Sequence, residues 1–164
     1  MTFPGWSMWT VIPEIYRVIE EATWPQIPQA KGKPKVQFGA FTNLPAGESI
    51  IVTGATDRAD SEPHTMGAVS GREGMQTPIV VATSVPGLDA LASFNRLAEL
   101  GKTLEGLFRD LTTGKPIITE AMDEAGVFSL WIYAAEEMVL PLNTSGSTLW
   151  AAGCTYLIGW KTRT

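Results

Sequence analysis

Residues 149–161 read LWAAGCTYLIGWK, and they alternate with a period of two. Trp150, Ala152, Cys154, Tyr156, Ile158 and Trp160 fall on one side of an extended chain. Ala151, Gly153, Thr155 and Gly159 fall on the other. Large residues on one side and small ones on the other predict a sheet with one face under helices. The second face must meet something close, and a neighbouring subunit is one candidate for that cover.

The segments upstream supply the rest of that sheet and its helices. Strands are expected at Ile117 to Ala121 and Gly126 to Ala135, with breaks at Asp123-Glu124 and at Asn143 to Gly146. Before them runs the strongest helical period in the chain. Leu88, Leu91, Leu97, Leu100, Leu104, Leu107, Phe108 and Leu111 trace an apolar stripe through about six turns. Pro86-Gly87 opens this helix and Gly114 and Pro116 close it. Gly101 and Gly106 weaken it by about 1 kcal/mol each relative to Ala, so packing has to hold it.

Met75 to Val85 reads as a strand around Ile79, Val80 and Val81, with Pro78 placing it at a sheet edge or starting it later. Glu48 to Thr53 and Val36 to Phe41 read as an antiparallel pair joined by the turn-rich Asn43 to Gly47. A helix is expected from Thr10, with Thr10 as N-cap and Pro13 in the first turn, until Pro25 and Pro28 stop it. The expectation is an α+β fold: a mostly antiparallel or mixed sheet with one long and one short helix packed on one face.

At 164 residues the chain predicts one domain able to bury roughly 70% of its unfolded surface. That domain is expected over 10–164. An aromatic arm over 1–9, carrying Phe3, Trp6 and Trp9 with Pro4 and Gly5, precedes it. The arm is too short to fold alone, so it packs back on its own domain or reaches a neighbour. Trp24 also lies outside the periodic segments, and tryptophan is enriched at interfaces. Residues 55–74 lack any hydrophobic period and read as a long projecting loop.

The net charge of −5 and the sequence pI near 4.9 disfavour nucleic acid and anionic membrane as partners. Lys31, Lys33 and Lys35 form the one local basic cluster. Apolar stretches are interrupted well short of the roughly 20 residues of a membrane span, and no secretory signal opens the chain. The expectation is a protein that is cytosolic when made. Cys154, the single cysteine, reads as a buried thiol.

The chemistry-bearing residues point to no catalytic site. Val52-Thr53-Gly54-Ala55-Thr56 resembles the start of a dinucleotide-binding loop, but Asp57 and Asp60 follow and Pro63 stops any helix. His64 is the lone histidine and has no cysteine nearby, which argues against a zinc site. Its pairing with Ser61 or Ser70 lacks the Gly-x-Ser-x-Gly elbow. Asp57, Asp60, Glu62 and Glu73 read as solvated loop carboxylates without EF-hand spacing. The expectations are therefore no enzyme, no cofactor and no metal.

The succession of elements resembles the tail-terminator proteins of long-tailed bacteriophages. After an N-terminal helix comes a strand ending in glycine, Val36-Gln37-Phe38-Gly39, and a second leading to Gly54 and Asp57. A variable loop runs into Arg72-Glu73 before Ile79-Val80-Val81. The long helix, Asp89 through Leu111, and a glycine-bearing last strand, Trp150 to Trp160, complete the pattern. Together they cover roughly residues 10–162. Thr113-Gly114-Lys115-Pro116 departs from the leucine-glycine-glycine-like turn of that pattern.

The resemblance implies a structural virion protein, made in the host cytoplasm. It would form a hexameric ring on the tail tube, end tube polymerisation and present a docking surface to the head-side connector. The implied partners are further copies of the chain, the tail tube protein and the connector or stopper protein. Arg58, Asp60, His64, Arg72 and Glu73 in the loop, with Trp6 and Trp9 in the arm, are the expected interface residues. The alternative is another neck or tail-tube component.

Overall fold

The computed structural model describes residues 7–39, 47–54, 57–58, 73–144 and 147–163, with the backbone alone at 57–58, 73, 136–144 and 147–148. Its elements are α1 (Met8–Glu21), β1 (Lys35–Phe38), β2 (Gly47–Val52), β3 (Asp57–Arg58), β4 (Glu73–Ser84), α2 (Ala90–Phe108), α3 (Glu120–Glu124), β5 (Val127–Thr144) and β6 (Ser147–Thr162). The strands form one mixed sheet in the order β1-β2-β4-β6-β5, with β3 beside β4. The α+β expectation holds, and a third helix joins the two foreseen.

α1 begins two residues before the expected start, so Met8 and Trp9 belong to the helix rather than to the arm. Ser7 occupies the cap position, and Pro13 sits inside the helix at a solvent-facing position instead of in the first turn. Val11, Ile12, Ile15 and Ile19 form the buried stripe. Glu14, also largely buried, is held by Arg17 through two hydrogen bonds of 2.8 and 2.6 Å, which lower its carboxyl pKa. Trp24 is core rather than interface: it is 3% exposed and its indole N–H donates to the Ile19 carbonyl at 3.2 Å.

β1 and β2 pair in parallel, Val36 opposite Ile50 and Phe38 opposite Val52, not as the antiparallel pair expected. Parallel neighbours usually need a crossover of a dozen residues or more. A four-residue β1 needs less, because the eight residues 39–46 have only a short strand to climb back along.

β4 is central, flanked by β2 and β3 on one side and β6 on the other, and Pro78 lies in its middle. This corrects the edge-strand expectation, and the reason is local. The Pro78 carbonyl accepts from Thr53 on the β2 side, so its missing N–H faces that side too. There the ladder breaks between Val52 and Asp57, and no β2 or β3 residue is registered with Pro78.

α2 is capped by the Asp89 carboxylate, which accepts from the Ala92 N–H at 2.7 Å. It ends at Phe108, so Leu111 falls outside it and is 49% exposed. The Asp110 carboxylate accepts from the Thr112 and Thr113 N–H groups at 2.8 and 3.2 Å and turns the chain there. Those bonds hold the Asp110 pKa below the ordinary carboxylate value. The strand expected over Ile117 to Ala121 is absent. The Thr119 hydroxyl accepts from the Met122 N–H at 3.3 Å and caps α3, which buries Met122.

All three helices lie on one face. α2 crosses β4, β6 and β5, while α1 packs against α2, α3 and β1. Leu97, Leu100, Leu104 and Phe108 meet Ile79, Val81, Ile132, Cys154, Tyr156, Ile158 and Trp160 in the core. Each such side chain contributes about 1.5–3 kcal/mol by leaving water. Cys154 is buried, as its apolar run implied.

Gly101 has a packing role that its low helix propensity hides. A Cβ there would overlap the Tyr156 hydroxyl and meet ring carbon Cζ at 2.9 Å. Tyr156 is 6% exposed, so its ring has little room to retreat. Gly101→Ala is expected to lower stability by about 1–3 kcal/mol, although alanine favours a helix by about 1 kcal/mol. Adding Tyr156→Phe should recover part of that loss, and urea unfolding midpoints of the two variants provide the check.

Candidate interaction surface

The face away from the helices is built from the odd-numbered residues of β6 and their registered partners. Thr155 lies opposite Val80, Leu157 opposite Pro78 and Tyr133, and Gly159 opposite Gln76 and Trp131. The expected cover of the glycines is partly internal. The Trp131 indole lies directly on Gly159, where any Cβ would overlap Cε2, Cζ2 and Nε1. Val80, Pro78, Leu157 and Trp131 remain half-buried, and Tyr133 is 46% exposed. This is a broad surface of aromatic and aliphatic groups with no helix over it among the described residues.

The β5–β6 hairpin extends beyond the expected breaks. β4 pairs with β6 only as far as Thr83 opposite Ala152, yet β5 and β6 stay paired to Thr144 opposite Ser147. The hairpin therefore overruns β4 by five residues of β6, about 17 Å of strand. β5 is also the last strand of the sheet among the described residues, and an edge strand presents backbone groups that can pair. Bulges near Val127 and Ala134 twist that edge.

A second apolar feature lies on α2. Leu91 is 68% exposed and Phe94 42%, and Ala98 is exposed on the next turn. At 100° per residue, Phe94 and Ala98 occupy the flank opposite Arg96. Arg96 reaches toward β2, where its Nε and Nη2 donate to the Glu48 carboxylate at 2.5 and 2.7 Å. The Phe94 flank therefore faces the β5 side. Ala134 is registered with Tyr156 on the helix-covered face and is exposed there.

Two clefts are lined by described residues. One of about 440 Å³ is lined by Lys31, Lys33, Gly47, Glu48 and Pro86, among others. Its one carboxylate, Glu48, is engaged by Arg96 and by the Thr83 hydroxyl at 3.2 Å. The basic cluster thus borders an apolar hollow without a nucleophile–base pair. The other, about 650 Å³, is lined by Glu120, Asp123, Phe128 and Arg163, with the Arg163 guanidinium 5.3 Å over the Phe128 ring. Among the described residues no group of histidine, cysteine and carboxylate side chains could hold a metal ion. No helix among them is long and apolar enough to cross a membrane.

Of the residues expected at an interface, Trp9 is 73% exposed on the first turn of α1. Arg58 lies in β3 opposite Met75, and Glu73 begins β4 opposite Thr162. The expected loop over 55–74 is thus strand at both of these positions. Asp60, His64, Arg72 and Trp6 lie outside the described residues. The hairpin overhang and the α2 flank were not foreseen. A signal for the flank was present in the spacing of Leu91, Phe94 and Ala98, but Phe94 was left out of the apolar stripe.

No protein-family profile matches the sequence, and no curated protein is significantly similar to it.

Proposed function

We propose that the chain is a structural virion protein that caps a bacteriophage tail tube as a ring, ending polymerisation and offering a docking surface to the head-side connector. The observation that carries this reading is the β5–β6 hairpin, whose backbone pairing runs past the last β4–β6 pair at the edge of the sheet. It stands on a succession of elements that resembles tail terminators in sequence order. A ring needs two different surfaces of one chain to meet at an angle that closes. The helix-free sheet face, the hairpin and the α2 flank are surfaces of that kind. Six copies are the number the resemblance implies.

A second reading, a tail-tube or neck component, draws on the greater number of residues in strands than in helices among the described residues. Light scattering across a concentration series, with negative-stain imaging of the same fractions, separates the two. Closed six-fold rings that bind the end of isolated tail tubes are the expected result. Tubes of unlimited length would favour the tube component. Particles with no affinity for tail tubes would remove both.

A further inference from the structure

We propose that the loop between α2 and α3, with the acidic α3 beside it, docks into the lysine-rimmed hollow of a second copy and joins copies head to tail. The inference deepens the ring reading and rests on it for its setting, since it names the two unlike surfaces that a ring requires.

The hollow is lined by described residues alone. The 29–33 connection, the start of β2 and the Val85-Pro86 turn enclose about 440 Å³ of mostly apolar space. An apolar cavity of about 150 Å³ already takes up a benzene ring, so two aliphatic side chains fit here. Lys31 and Lys33 stand exposed at its rim, and Lys35 follows at the start of β1. None of the three forms an ion pair among the described residues. Glu48, the one carboxylate in the lining, is neutralised by Arg96. The hollow is therefore apolar inside and positive around its mouth.

The complementary properties meet in the loop after α2. Residues 110–117 are all exposed, yet hydrogen bonds hold the loop in one shape. The Asp110 N–H donates to the Lys115 carbonyl at 2.8 Å, the Gly114 N–H to the Asp110 carbonyl at 2.7 Å and the Ile117 N–H to the Phe108 carbonyl at 2.9 Å. A surface ordered in advance loses little entropy when it docks. Leu111 and Ile117 are the large apolar side chains this loop exposes. Glu120, Asp123 and Glu124 lie exposed on the adjoining α3 and form no ion pair among the described residues. With Asp110 they outnumber the neighbouring cations Lys115 and Arg163, so this end is negative around its apolar tip.

The two surfaces stand at opposite ends of the sheet. The hollow lies where β2 begins beside the end of β4, Gly47 opposite Ser84. The loop and α3 lie where β5 begins beside the end of β6, Val127 opposite Thr162, and Thr162 pairs with Glu73 at the start of β4. The 12 residues of β4 separate these ends by about 36 Å. A copy cannot fill its own hollow across that distance, whereas a neighbour stacked end to end can. Each copy then uses both surfaces, and the contact repeats.

Charge reversals in the full chain test this. Lys31→Glu/Lys33→Glu alone, or Glu120→Lys/Asp123→Lys alone, brings like charges together and should weaken self-association at least about 30-fold. The fourfold variant carrying both reversals has the net charge of the wild type and should associate within about threefold of it. Leu111→Ser/Ile117→Ser should weaken association about 10-fold or more by removing the apolar tip. All these positions are exposed, so circular dichroism should show each variant folded as the wild type. Should the fourfold variant fail to fold, an equal mixture of the two single-end variants carries the same test, because each offers the other a complementary end.

Wild-type association by either single-end reversal, a folded fourfold variant that stays weak, or a wild type monomeric at every concentration would overturn the proposal. Rings that fail to bind tail tubes would remove the tail role and leave this contact standing. Rings that bind tubes and survive both single-end reversals would do the reverse.

Discussion

Replacing Arg96 by methionine should destabilise the chain by about 3–5 kcal/mol, the effect of stranding a buried charge. The Arg96 and Glu48 side chains are 2% and 3% exposed and share two hydrogen bonds. Arg96 also donates to the Pro25 carbonyl and, at 2.8 Å, to Glu99. One guanidinium thereby ties α2, β2 and the connection after α1 together. The bond to Glu48 pushes the Arg96 pKa up against the opposing effect of burial, so the guanidinium stays charged. In Arg96→Met, Glu48 keeps only the Thr83 hydroxyl among these partners.

The double variant Arg96→Met/Glu48→Leu separates the worth of the pair from the penalty of orphaning it. An isolated buried charge is costly, whereas an apolar replacement of both partners is often neutral. The double variant should therefore unfold within about 1 kcal/mol of the wild type. Chemical denaturation of the three proteins measures both numbers. If Arg96→Met alone is neutral, the network does not hold these elements together.

The second large effect is expected at Trp160. Its side chain is fully buried, and its indole N–H bonds to Ser7 at the start of α1. Trp160→Ala should cost about 3–5 kcal/mol through the cavity it leaves. Trp160→Phe keeps most of the volume and loses the hydrogen bond, so it should cost less, about 1–3 kcal/mol. Thermal melts resolve the two. A full-size loss in Trp160→Phe would mean that the Ser7 bond, rather than packing, anchors the first turn of α1.

Much of this architecture was legible in the sequence because period and apolarity act locally. The two-residue alternation over 149–161 placed Cys154, Tyr156, Ile158 and Trp160 on the covered face, and there they lie. The α2 stripe and its start after Pro86-Gly87 followed from helical spacing and that turn. The single buried cysteine followed from its apolar surroundings. Each conclusion depends on which side of an element a residue occupies, and a chain fixes that through its own dihedral periods.

Other features depend on which segments meet, and no local period encodes that. Pro78 reads as an edge-strand residue until the β2–β3 break is seen beside it. β1 reads as half of a hairpin until its register against β2 shows it parallel. Gly101 reads as a weak point in a helix, yet Tyr156 from a strand over fifty residues away occupies the space a side chain would fill. Arg96 and Glu48 stand 48 residues apart, and only folding brings them into one buried pair. Composition and periodicity determined the class of the fold and the faces of its elements. Strand pairing, the place of Pro78 and the Arg96–Glu48 pair were decided by tertiary structure, because each depends on which distant segments come together.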